Sequence, residues 1–227
     1  MNRFFIVVFL IFGTCAMTAQ IHEVGVFLGG SNYIGDIGKM SYIAPKEPAL
    51  GILYKWNRSP RHSWRFSYTQ STIKGDDRQS TEPGRVQRDY RFENDIKEVS
   101  AGLEFNFFDF NLHDEDPKFT PYVYTGVSYV HYNGLFFVGG LPKYDSTHGA
   151  VALPMIVGLK GRLFNHLILG FEAGARLAFN DDLDGSNPTN KNLAALKFGN
   201  INSNDWYVFT GFTLTYTFGN KPCYCAE

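Results

Sequence analysis

The chain has 227 residues, with 21 Lys+Arg against 22 Asp+Glu and a formal net charge of −1, so it lacks the basic excess that nucleic-acid binding calls for. Aromatic residues make up 16% of it and glycine is abundant, whereas stretches of helical period are hard to find. Its length fits one domain, and no segment carries the ~20 consecutive apolar residues that a membrane-spanning helix needs.

The N-terminus reads as a secretory signal peptide over residues 1–19. A short basic region (Asn2, Arg3) is followed by an apolar run from Phe4 to Phe12 and by small residues around Ala16 and Ala19. Cleavage after Ala19 leaves Gln20 first. Cys15 near the cleavage region raises the lipoprotein alternative, but Phe12-Gly-Thr lacks the small residue wanted just before a lipidated cysteine. An exported, helix-poor, aromatic-rich chain points to a soluble β-sandwich or to an outer-membrane β-barrel.

Eight runs of period 2 follow, each about the length with which a tilted strand crosses a bilayer. Ile21 to Gly30 sets Val24, Val26 and Leu28 against Glu23, Gly25 and Phe27. Leu50 to Asn57 puts Leu50, Ile52, Tyr54 and Trp56 on one face. His62 to Ile73 opposes Trp64, Phe66 and Tyr68 to Arg65, Ser67 and Thr69. Lys97 to Phe108 alternates most regularly, with Val99, Ala101, Leu103, Phe105 and Phe107 against Glu98, Ser100, Gly102, Glu104 and Asn106. The fifth run, after Phe119-Thr-Pro-Tyr122, is ambiguous in its facing. The sixth, Val151 to Leu163, contains Pro154, where a bulge or strand end is expected because proline cannot donate to a ladder. Leu167 to Phe179 and Tyr207 to Phe218 complete the set.

The connectors alternate in length. Those after runs one, three, five and seven span about 19, 23, 19 and 27 residues, and those between are shorter. A sandwich has no reason to place every long loop at one end. An eight-stranded antiparallel transmembrane up-and-down barrel over residues 20–218, with short periplasmic turns, long extracellular loops and both termini periplasmic, predicts this rhythm. In that topology Glu23, Arg65, Glu98, Glu104, Lys160, Glu172 and Arg176 face the lumen. An eight-stranded interior is just filled by side chains, so these mixed charges suit a salt-bridged plug better than an ion path. Trp56, Trp64 and Trp206 lie near strand ends, where amphipathic rings suit a membrane interface as well as ordinary packing.

Signals for catalysis are sparse. A lipid-acting Ser/His pair has one candidate, His62-Ser63, placed by the topology at a periplasmic turn without a third partner. Asp76-Asp77 and Asp181-Asp182 sit among turn residues and read first as solvated loop carboxylates; calcium binding by Asp181, Asp182 and Asp184 is the alternative. No zinc spacing, phosphate loop or nucleophile elbow is found, and no cofactor is expected. The tail, residues 219–227, carries Cys223 and Cys225 beyond the barrel, where an oxidising envelope favours bridging. A strained local bridge, a free thiol and an intermolecular disulfide to a periplasmic partner all remain open.

Several segments resemble, in order, the barrel family that contains PorG, the outer-membrane component of the type IX secretion system. They are Asn32-Tyr-Ile-Gly-Asp36, Gly75-Asp-Asp77 with Arg85, Arg88 and Tyr90-Arg-Phe92, Glu104-Phe-Asn-Phe107, Phe119-Thr-Pro-Tyr122, Gly174-Ala-Arg176 with Asp181-Asp-Leu-Asp184, and Asn204-Asp-Trp-Tyr207. The chain departs from that pattern at Asn180-Asp-Asp182, where the family often has Thr-Asp-Tyr. The resemblance implies a non-enzymatic anchor in the outer membrane for the periplasmic ring of a PorK/GldK-type lipoprotein and a PorN/GldN-type protein. That system serves protein export and, in gliding bacteria, adhesin export. Cys223 or Cys225 would then be the covalent link. The competing readings are a general small outer-membrane barrel for adhesion or passive permeation, and a lipid-modifying barrel enzyme.

Overall fold

The computed structural model describes residues 21–112, 118–164, 166–200 and 202–219. The expected signal peptide, residues 1–19, and both tail cysteines lie outside the described residues. Eight antiparallel strands form a closed barrel in sequence order. They are β1 (Ile21–Ile34), β2 (Glu47–Asn57), β3 (His62–Asp76), β4 (Arg91–Asn106), β5 (Phe119–Val138), β6 (Leu141–Phe164), β7 (Leu167–Ala178) and β8 (Trp206–Phe218). The thirteen-residue pairing of β1 with β8, from His22↔Phe218 to Ile34↔Trp206, closes the ring and leaves no free edge. Ile21 and Gly219 both lie at one end, here called proximal; the opposite end is distal.

Alternation sorts the side chains. β4 alternates between exposed and buried from Arg91 to Glu104, with Phe105 half-buried before the buried Asn106, because its even residues fill the lumen and its odd residues face outward. The outer surface is an apolar band that includes Val24, Leu28, Ile52, Val99, Val157 and Leu214, all exposed. The facing of β5 is now plain: Val123, Val127 and Tyr129 are outside, while Tyr122, Tyr124 and Tyr132 are inside. Trp56 pairs with Trp64 near the proximal end, and Trp206 opens β8 at the distal end.

Two strand expectations need correction. The connector between the fifth and sixth strands is no long loop: β5 and β6 run on for 20 and 24 residues and meet at Gly139-Gly140. Both glycines have positive φ, 62° and 81°, the geometry that a two-residue hairpin turn requires and that suits the strands' twist. Nor does Pro154 end or shift a strand. Pairing with β5 lapses between Thr125↔Met155 and Ser128↔Ala152 without a change of register, while Pro154 stays paired with Arg176 of β7. The register shifts fall at Asn133/Leu135 and Arg162/Phe164 instead.

The other distal connectors are long. Residues 35–46 fold back over the outside of β1, where Asn32 donates to the Ser41 carbonyl at 2.8 Å. Gly30 admits the approach, since a Cβ there would stand 2.6 Å from Pro45 Cβ. Residues 77–90 carry a short helix, α1 (Pro83–Arg88), and residues 179–200 and 202–205 fold over the mouth.

Candidate functional site

The lumen has two zones. In the proximal zone, Glu23, Arg65, Glu98, Glu104, Lys160, Glu172 and Arg176 are all buried, and Lys55 joins them. Four carboxylates thus meet four cations. Glu104 receives Lys55 Nζ at 2.8 Å and Lys160 Nζ at 2.6 Å, with Arg65 Nη1 at 3.7 Å. Arg65 forks onto Glu172, Nη1 to Oε2 at 2.7 Å and Nη2 to Oε1 at 2.8 Å, and the Tyr122 hydroxyl donates to the same carboxylate at 2.6 Å. Arg176 lies 3.4 Å from Glu98, which also accepts from the Tyr207 hydroxyl at 2.6 Å. Glu23 is held by neutral donors, Asn57 Nδ2 at 2.9 Å and Thr215 Oγ1 at 2.8 Å. Such desolvated charges are tolerable only with these bidentate and hydroxyl bonds in place. The network fills the bore.

Lys55 escaped the sequence reading, although its signal was there: it lies on β2 opposite the face of Leu50, Ile52, Tyr54 and Trp56. Tyr122, Tyr124 and Tyr132 were hidden by the ambiguous facing of β5.

The distal zone begins with an apolar layer of Ile73, Ile96, Val130, Leu135 and Tyr207, into which residues 179–205 insert Leu183. Above it the cap is tied together by carboxylates. Asp77 accepts from Gly38 N at 2.8 Å and from Arg88 Nε at 2.7 Å, and Arg88 Nη2 reaches the Asp36 carbonyl at 2.7 Å. Arg85 Nη1 spans the Gly35 and Gly38 carbonyls. Asp205 accepts from the Tyr33 hydroxyl and, at 2.9 Å, from Leu183 N. Tyr90 stacks on Phe137 of the β5–β6 hairpin at 4.6 Å, with Phe198 edge-on to both.

Asp77 and Asp182 are therefore buried ties, not solvated turn residues; each finds enough donors to replace water. Asp181, Asp182 and Asp184 do not converge on one point. Asp182 takes the Tyr132 hydroxyl and His148, Asp184 takes Ser186 N, and Asp181 takes Asn187 and Ser203. Among the described residues no three acidic, His or Cys side chains are grouped to hold a metal ion. Burial pushes the Asp181 carboxyl up to about 7, and burial with Asp184 nearby holds Asp205 well above the usual range. His62 and Ser63 fall on opposite faces of β3, His62 exposed and Ser63 buried, so they form no pair.

No curated protein matches the chain. Solved structures similar to it include Neisserial surface protein A (10% identity, 88% of this chain and 97% of that one, TM-score 0.49). The attachment invasion locus protein Ail of Yersinia pestis, in complex with a heparin analogue, matches at 10% identity over 88% and 99%, TM-score 0.48. A major outer membrane protein from Thermus thermophilus matches at 14% over 88% and 100%, TM-score 0.45. A family model covers residues 2–227, and the chain belongs to that family, whose description is Domain of unknown function (DUF6089).

Proposed function

We propose that this protein resides in the outer membrane with both termini periplasmic, and that it is the barrel of a type IX secretion system, fixing the periplasmic ring of a PorK/GldK-type lipoprotein and a PorN/GldN-type protein. The observation that carries the reading is the combination of an apolar outer band with a lumen filled from end to end. A wall of exposed Val, Leu, Ile and Phe needs lipid around it. A bore closed by paired charges, an apolar layer and a cap suits a part that holds position better than one that passes solutes.

The ordered motifs that resemble the PorG family support the finer assignment, because in space many of them meet. Tyr33, Asp36, Asp77, Arg85, Arg88, Phe92 and Asp205 all build the distal cap. The ring would be met from the opposite end, by the proximal turns and the tail with Cys223 and Cys225.

A detergent-solubilised pull-down of the tagged full chain, read by mass spectrometry, should bring down the two ring proteins. A nonreducing gel should show a reducible heterodimer that the Cys223→Ser, Cys225→Ser double variant lacks. If the chain fractionates with the outer membrane but recovers no ring protein, it is a general small barrel and the secretion reading fails.

A further inference from the structure

The distal rim holds a cluster of side chains that the anchoring role does not use. Ser146 and His148 are two residues apart on β6 and so share a face. Ser146 Oγ lies 2.8 Å from His148 Nε2, and His148 Nδ1 lies 2.9 Å from Asp182 Oδ2. Asp182 is fully buried, and the Tyr132 hydroxyl donates to its other oxygen. The imidazole is half-buried, with its edge against the Tyr132 ring, and Ser146 is exposed.

We propose that Ser146, His148 and Asp182 form a serine-nucleophile relay that cleaves carboxylic esters at the distal rim. Its parts stand in the order that such chemistry needs: an accessible hydroxyl, a base in contact with it through one ring nitrogen, and a buried carboxylate fixing the other. The carboxylate acts by position. Accepting from Nδ1–H, it selects the tautomer whose Nε2 lone pair faces Ser146, and Tyr132 in turn fixes the carboxylate. Ser146 and His148 are the catalytic residues; Asp182 is a positioning residue.

In the first half-reaction Ser146 Oγ bonds to the ester carbonyl carbon while its proton passes to His148 Nε2. The carbon–oxygen bond to the alcohol then breaks, and the leaving alkoxide takes that proton. In the second, water attacks the acyl-serine, gives its proton to Nε2, and releases the carboxylic acid as Oγ is reprotonated. The Thr189 hydroxyl, 3.4 Å from Nδ1 and 3.5 Å from Nε2, stands beside the imidazole as a neutral donor for the carbonyl oxygen. Tyr144, on the same face of β6 and 68% exposed, offers apolar surface to an acyl chain. This activity goes beyond the anchoring role and does not depend on it.

The test uses the full chain in detergent micelles, with its barrel state checked by the shift in gel migration on heating. A fluorophosphonate probe should attach to the folded protein, and peptide mapping should place the adduct on Ser146. Ser146→Ala, at an exposed position that leaves the barrel intact, should abolish it, and His148→Ala should slow it about a hundredfold or more. With p-nitrophenyl butyrate, Asp182→Asn should lower kcat by less than His148→Ala does while KM stays within about twofold, since only the base's orientation changes. A folded barrel that takes no label at Ser146 overturns the proposal. So does labelling at the same rate in His148→Ala, which would leave the three side chains only a structural tie between hairpin and cap.

Discussion

The proximal lumen and the distal cap are both rich in buried carboxylates, and they satisfy them in opposite ways. In the lumen Glu98, Glu104 and Glu172 each face Lys or Arg, and charges of both signs are equal in number. In the cap the buried Asp77 has a close guanidinium, whereas the buried Asp181, Asp184 and Asp205 rest on neutral hydroxyls, amides and backbone N–H groups. The difference teaches how each zone responds to change. A matched ion network fails when one member is removed, because the partner left behind is a buried, uncompensated charge. A cluster of acids without cations keeps its fold by holding protons, and so responds to pH.

The largest expected effect is at Glu104, the hub of the matched zone. Glu104→Ala leaves the buried Lys55, Lys160 and Arg65 without the carboxylate they share. The expected loss is about 3–5 kcal/mol or more, read as a lower urea midpoint for unfolding in lipid vesicles. Adding Lys160→Met should restore part of it, because one uncompensated cation goes with it. If Glu104→Ala stays within about 1 kcal/mol of the parent, the lumen is hydrated and the plug is misread.

The cap should show the complementary behaviour. Asp181 holds its proton to about 7 in the folded state, against 3.8 for the free side chain. Because the folded value is the higher one, the unfolded loop loses its proton first as pH rises. The contribution is therefore fully present below about pH 4 and is lost as pH climbs towards 7, with a ceiling on the order of 4 kcal/mol. Hydrogen-exchange protection factors over residues 179–205 should fall between pH 4.5 and 7.5 while those of β4 stay level. Asp181→Asn should flatten the change. A cap whose protection rises with pH would mean that its acids are paired after all.

The barrel was legible because its signal is strict. Period 2 with apolar residues on one face named the lumenal charges of β1, β3, β4, β6 and β7, as at Glu98 and Glu104, from position alone. The cap was not, because it is made by contacts that no local pattern encodes. Asp77 looks like any turn aspartate until Arg88 and Gly38 N are brought to it, and Asp205 meets Tyr33 from 172 residues away. Ser146 and His148 carried a spacing that means nothing without Asp182, which the fold supplies from another loop. The stretch that holds them reads as loop because glycine, proline and polar residues interrupt its alternation. In the structure it is strand.

That extended hairpin gives the smallest and most local test. Residues 132–138 of β5 and 141–151 of β6 reach beyond the pairing of their outer neighbours, which ends at Lys97↔His131 and Ala152↔Ala178. Their hold on the mouth then rests on the turn and on packing such as Phe137 against Tyr90. A Cβ at Gly139 would meet nothing, so Gly139→Ala acts through its positive φ alone, at a cost of roughly 1–2 kcal/mol. Protection should drop at the hairpin and around His148 while the lumen is unmoved, since Glu104 and its partners lie in the other zone. An equal drop in the lumen would mean that the two zones unfold as one unit, and the division between matched and unmatched acids would no longer predict which part opens first.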